Sequence, residues 1–86
     1  MGPTLLRKGP YRIYIYSYGC QELRHVHVDR ENMSAKFWLD PMIMMAFNRG
    51  FSRAELRRIE RLLQEHDTLL RERWNEFCGN GNASGA

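Results

Sequence analysis

The sequence predicts an α+β fold, an antiparallel meander of three or four strands packed on one kinked or two C-terminal helices. Three observations carry that expectation. Between Tyr11 and Leu39, β-favouring residues alternate with period two in short runs separated by turns. From Ser52 to Gly79, apolar residues recur at spacings of three and four. The chain has 86 residues, 43% of them hydrophobic and 27% charged. That length supports one modest core and is too short for several domains or a buried cofactor cradle. Residues 3–78 are expected to form the single domain, with 79–86 (Gly-Asn-Gly-Asn-Ala-Ser-Gly-Ala) as a disordered tail.

The first strand is read over Tyr11–Tyr18, with Ile13 and Ile15 on one face and Tyr14, Tyr16 and Tyr18 on the other. Gly19 opens a turn. His25–Asp29 alternates next, its valines to one side and His25, His27 and Asp29 to the other. In Ser34–Leu39, Ala35, Phe37 and Leu39 oppose Ser34, Lys36 and Trp38. The core face is therefore Ile13, Ile15, Val26, Val28, Phe37 and Leu39. Asp40-Pro41 allows two continuations through Met42–Asn48: a short helix ended by Gly50, or a fourth strand with Ile43, Met45 and Phe47 on one side.

Ser52-Arg-Ala-Glu55 is a capping box, and Phe51 before it can staple onto Leu56. Leu56, Ile59, Leu62, Leu63, His66, Leu69, Leu70, Trp74 and Phe77 follow on one helix face, and Gly79 is the C-terminal cap. A single rod over Arg53–Cys78 reaches roughly 39 Å, against ~20 Å for a six-residue strand. A break near His66–Thr68 is therefore expected, with Asp67 capping a second helix.

Composition narrows the functional classes. A net charge of +3 permits an acidic or nucleic-acid partner without requiring one. The longest apolar run, Met42–Phe47, falls far short of the ~18 residues of a membrane span. No stretch of signal-peptide character opens the sequence, so secretion is not expected. Cys20 and Cys78 form no Cys-x-x-Cys pair, and reduced thiols in a cytoplasmic setting are the expectation. The methionines of Met42–Met45 read as core filler.

His25-x-His27 is the sharpest motif, because strand residues two apart share a face. Two imidazoles there, with Asp29 beside them, suit a metal ion, a phosphate or an acid–base pair, with Arg24, Arg30 or Lys36 holding a phosphate. The plainer reading is a half-exposed strand whose histidines bond to Tyr14 or Tyr16. A thiol–imidazole pair of Cys20 with either histidine is chemically possible, but nothing marks Cys20 as activated. Tyr14, Tyr16 and Tyr18 with Lys36 and Trp38 can stack bases, or form a second apolar layer for the chain itself or a partner. Arg53, Arg57 and Arg61 make a cationic stripe for nucleic acid, or a solvated face paired as Arg57–Glu60 and Arg61–Glu65. No cofactor motif is present and none is expected.

Taken in order, these signals resemble a known family. They are Pro3-Thr4, the aromatic strand, His25-Val-His27-Val28, Ala35-Lys-Phe-Trp-Leu-Asp-Pro41, Gly50-Phe51-Ser52, Glu55-Leu-Arg-Arg-Ile-Glu60 and Trp74-Asn-Glu-Phe77 with Gly79. Together they resemble the small prokaryotic family named domain of unknown function 4160, over nearly the whole chain apart from the tail. Another branch of that family places strand-like residues at Met42–Phe47, so the resemblance implies a fourth strand. It also implies a toxin–antitoxin-like or mobile-element setting, since members are often encoded beside a second small protein. The family's His-x-His maps onto His25 and His27, with Leu23-Arg24 where relatives commonly carry prolines.

The expected function is accordingly a small bacterial accessory protein, without an enzymatic activity, that binds a protein partner or itself. Its binding face is expected to carry Tyr14, Tyr16, His25, His27, Asp29, Lys36 and Trp38. The alternatives are a ribonuclease-type toxin with His25 and His27 as its acid–base pair, and a metal- or nucleic-acid-binding module on the same face. No membrane partner is expected.

Overall fold

The computed structural model describes residues 2–79; the expected tail, apart from Gly79, lies outside the described residues. The sheet has five strands in the order β1 (Thr4–Lys8), β2 (Tyr11–Tyr14), β3 (His25–Arg30), β4 (Met33–Trp38) and β5 (Met44–Arg49). Every neighbouring pair is antiparallel. Helices α1 (Arg53–Glu65) and α2 (Asp67–Cys78) follow. The α+β meander is as expected, with one strand more than the sequence suggested.

The added strand is β1, joined to β2 through Gly9-Pro10, with Gly9 at φ 57°. Glycine takes that conformation without a Cβ clash, so the turn closes tightly. The expected strand Tyr11–Tyr18 is corrected to a shorter ladder. Pairing stops at Tyr14, Ile15 still donates to the Pro3 carbonyl at 3.2 Å, and Ser17–Gln21 coils into a 3-10 turn. β-propensity alone favoured continuation, but the chain must turn there to bring Cys20 to Cys78. Those cysteines, 58 residues apart, form a disulfide. The expectation of two reduced thiols is thereby corrected.

All six expected core residues of the sheet are buried, and Ala35 joins them. Phe51, Ile59, Leu63, Leu70 and Trp74 close over them from the helical side. The helix does break at His66 (φ −114°, ψ 23°). Asp67 does not cap the second helix, as the sequence suggested. It is the first residue of α2 and instead accepts from Arg71 Nε at 2.9 Å, one turn on.

The capping box is half formed. Ser52 Oγ accepts from the Glu55 backbone N–H at 3.1 Å. The Glu55 carboxylate leaves its own helix and takes Arg30 Nε at 2.6 Å, Arg30 Nη2 at 2.9 Å and the Tyr11 hydroxyl at 2.8 Å. A two-pronged charged bond to the sheet outcompetes a single bond to a backbone amide. Asp40 makes the second sheet-to-helix tie, accepting from Arg24 Nε at 2.8 Å and from Arg71 Nη1.

Candidate functional site

Because both helices pack on one side of the sheet, they leave the other side uncovered except at its His25 end, which Trp74 of α2 reaches. Strand alternation sends Tyr14, His25, His27, Asp29, Ser34, Lys36 and Trp38 to that open side, in the registers His25↔Trp38, His27↔Lys36 and Asp29↔Ser34. Tyr14 lies opposite His27. The sequence grouped these side chains correctly. Their individual surroundings differ sharply.

The rings form a continuous run. Tyr18 stacks on Tyr16 with centroids 5.2 Å apart and planes at 12°. Tyr16 meets His27 edge-on at 4.8 Å, and Tyr14 stacks on His27 at 5.4 Å. His27 then meets His25 at 5.3 Å, and His25 meets Trp38 at 5.7 Å. Lys36 Nζ stands 4.4 Å over the Trp38 ring and is paired to Glu22 at 2.7 Å.

His25 is only 1% exposed. Its Nδ1–H donates to the Leu23 carbonyl at 2.7 Å, which leaves Nε2 as the ring's remaining nitrogen. The 3-10 turn covers that nitrogen, since a Cβ built on Gly19 would lie 2.9 Å from Nε2. Trp74 backs the ring from α2 at 6.5 Å. No substrate reaches His25 in this arrangement.

His27 is half-buried, and its pKa is lowered to about 4. Burial is the main cause, followed by the neighbouring His25 and Lys36. Tyr14 is buried, and its phenol is held well above its ordinary value by burial and by its hydrogen bonds to Tyr16 and Asp29. Asp29 Oδ1 accepts from Tyr14 at 3.0 Å and from Ser34 at 2.8 Å. Of the three weak metal candidates, His25 and Asp29 therefore spend polar atoms on different neighbours, and His27 is packed among aromatic rings. Among the described residues, no group of three His, Cys, Asp or Glu side chains converges as a metal site.

Several expectations are corrected. Arg30 falls on the helix side, bonded to Glu55, and cannot hold a phosphate beside the histidines. Arg53, Arg57 and Arg61 are exposed along α1, a helix away from the aromatic run. No Arg57–Glu60 or Arg61–Glu65 ion pair forms among the described residues. The methionines expected in the core are on the surface: Met42 is 60% exposed, Met44 51% and Met45 46%. Met44 and Met45 belong to β5, the sheet's last strand, and no further strand among the described residues covers its outer edge. Cys20, paired with Cys78, is no free nucleophile.

Arg24, read from the sequence as a cation for a phosphate, is engaged elsewhere, and that tie went unread. It pairs with Asp40 through Nε and Nη2, at 2.8 and 3.2 Å, and so anchors the approach to β3. The signal was an arginine directly before a buried strand, with a carboxylate at the end of the strand opposite. Three shallow surface hollows, of about 360, 280 and 280 Å³, lie elsewhere, and neither histidine lines any of them.

Residues 11–75 match the model of the family described as Domain of unknown function (DUF4160). The chain belongs to this family. The match begins at β2 and ends inside α2, so it includes the entire aromatic run and both sheet-to-helix ties. No curated protein and no solved structure matches the chain. Among the described residues, no helix is long and apolar enough to cross a membrane.

Proposed function

We propose that this DUF4160 member is a protein-binding module that docks its partner on the open face of the sheet and performs no chemistry there. The observation that carries this is the contrast between the two histidines' surroundings and the rim around them. His25 is sealed under Gly19 and hydrogen-bonded, while Tyr18 is 70% exposed and Tyr16, His27 and Trp38 are partly so. A rigid aromatic patch with polar edges is the composition of a binding hot spot. An acid–base pair, by contrast, needs both groups within reach of the substrate. The partner, in the toxin–antitoxin-like setting that the resemblance implies, is the product of the adjacent gene.

Co-expression with that neighbour tests the reading. A stable complex is expected, weakened about 10- to 100-fold by Tyr16→Ala or Trp38→Ala, the usual effect of truncating an aromatic anchor. Absence of a complex overturns it. Growth arrest on expression, relieved by His27→Ala, supports the ribonuclease reading instead. Salt-sensitive binding of single-stranded nucleic acid, lost in Tyr16→Ala, supports the nucleic-acid reading.

A further inference from the structure

The two edges of the sheet are treated differently. On β1, Arg7 and Lys8 are exposed, and the register shifts between Thr4 and Leu6. The Leu5 carbonyl in that shift accepts from the Arg73 guanidinium of α2. Charge, a bulge and a covering side chain are the usual protections of an edge strand. The edge at β5 has much less of this. Its sequence is Met44-Met-Ala-Phe-Asn-Arg49, without proline or lysine. Phe47 is 52% exposed, and Met44 and Met45 are comparably so. Every second backbone amide and carbonyl of β5 points away from β4, with no strand beyond it among the described residues.

We infer that β5 pairs antiparallel with β5 of a second copy, joining two sheets into one of ten strands. A second copy brings the same uncharged run, Met44–Asn48, to this edge, and charge sets its direction. Arg49 is the strand's sole charge and stands at its end. Antiparallel pairing about a twofold axis places the two arginines at opposite ends of the seam, whereas parallel pairing would set them side by side.

The area is consistent with a small dimer. With about 200 Å² for each free side chain, the exposed parts of Met44, Met45 and Phe47 offer roughly 300 Å² of apolar surface per copy. The paired backbones and Arg49 add to this, towards the about 800 Å² per partner of a standard interface. The register shift between β4 and β5, where Ala46 is the extra residue, limits the regular seam. Association is therefore expected in the micromolar range. This seam runs along the sheet edge beside the docking face proposed above, since Met44 lies opposite Trp38 and Phe47 opposite Lys36, whereas Met45 lies opposite the core residue Phe37.

Sedimentation velocity of the full chain from about 5 to about 500 µM spans the expected range. The wild-type mass is expected to rise from 10.2 kDa towards twice that value. Phe47→Lys and Met45→Lys each bring a like-charge pair to the seam and are expected to weaken association at least tenfold. Leu23→Lys, at a 62% exposed position outside β5, is expected to associate as the wild type does. Far-UV circular dichroism checks that each variant is folded. Hydrogen exchange on the wild type gives an answer independent of any variant, since β5 amides should slow at the higher concentration. A wild type that stays monomeric, β5 amides indifferent to concentration, or a dimer that survives both lysine variants overturns the inference. Loss of the dimer in Met45→Lys with partner binding retained, or the reverse in Tyr16→Ala, separates this seam from the docking face.

Discussion

Gly19 and His25 are fitted to each other: a methyl group on Gly19 would stand 2.9 Å from His25 Nε2 and 3.0 Å from Cε1. The ring has nowhere to retreat, because its Nδ1 is bonded to Leu23 and Trp74 stands behind it. Gly19→Ala is therefore expected to destabilise the fold by about 1–3 kcal/mol, the usual range for forcing a methyl into a packed site. Urea unfolding checks this. At Gly9 a methyl group would meet open space within 4 Å, so there backbone conformation and not crowding sets the effect of a substitution.

The Cys20–Cys78 disulfide ties the 3-10 turn to the last residue of α2. Opening it releases a long loop in the unfolded chain, which by the chain-entropy account is worth about 2–4 kcal/mol. Thermal unfolding with and without a reductant is expected to show a Tm lower by roughly 10–20 °C in the reduced protein. An equal Tm in a chain confirmed as reduced would contradict the account.

His27 gives a pH signature with a definite sign. Its pKa is lowered from the ordinary histidine value of 6.5 to about 4 in the folded protein. As pH falls below 6.5, the unfolded chain takes up a proton that the folded chain refuses, so stability is lost progressively between about pH 6.5 and pH 4. Asp40, held low by Arg24 and Arg71, and Glu55, held low by Arg30 and Tyr11, withdraw their stabilisation only at lower pH, as they protonate. Melting curves at stepped pH should therefore decline before the carboxylates titrate. His27→Gln is expected to flatten that first decline and leave the more acidic one in place.

Glu31, in the two-residue loop joining β3 to β4, is a non-glycine residue with positive φ, 56°. Its side chain is 77% exposed, with a 3.9 Å approach to Arg30 that solvent screens. Glu31→Gly removes the Cβ strain and is expected to stabilise the hairpin by roughly 0.5–1 kcal/mol, net of glycine's greater freedom in the unfolded chain. Chemical denaturation of the two proteins side by side measures it.

Alternation and helical spacing made the core legible: Ile13, Ile15, Val26, Val28, Phe37 and Leu39 are all buried, and the helix breaks at His66 as rod length required. β1 was harder to see because Thr4–Lys8 offers too few residues for a period, although Gly9-Pro10 between two extended runs was a usable turn signal. The grouping of Tyr14, His27, Asp29, Lys36 and Trp38 on one face was equally legible from strand parity. Which of them stay accessible was not, because that depends on the 3-10 turn and on the disulfide that ties it to α2. These are pairings between distant residues, which no local pattern contains.

Because each strand pairs only with its neighbours in sequence, the sheet can assemble by adding one hairpin at a time. Each closure spans a short length of chain and costs little loop entropy, so no strand must wait for a distant partner. This topology favours rapid sheet formation, and the two helices complete the core by covering its hydrophobic face.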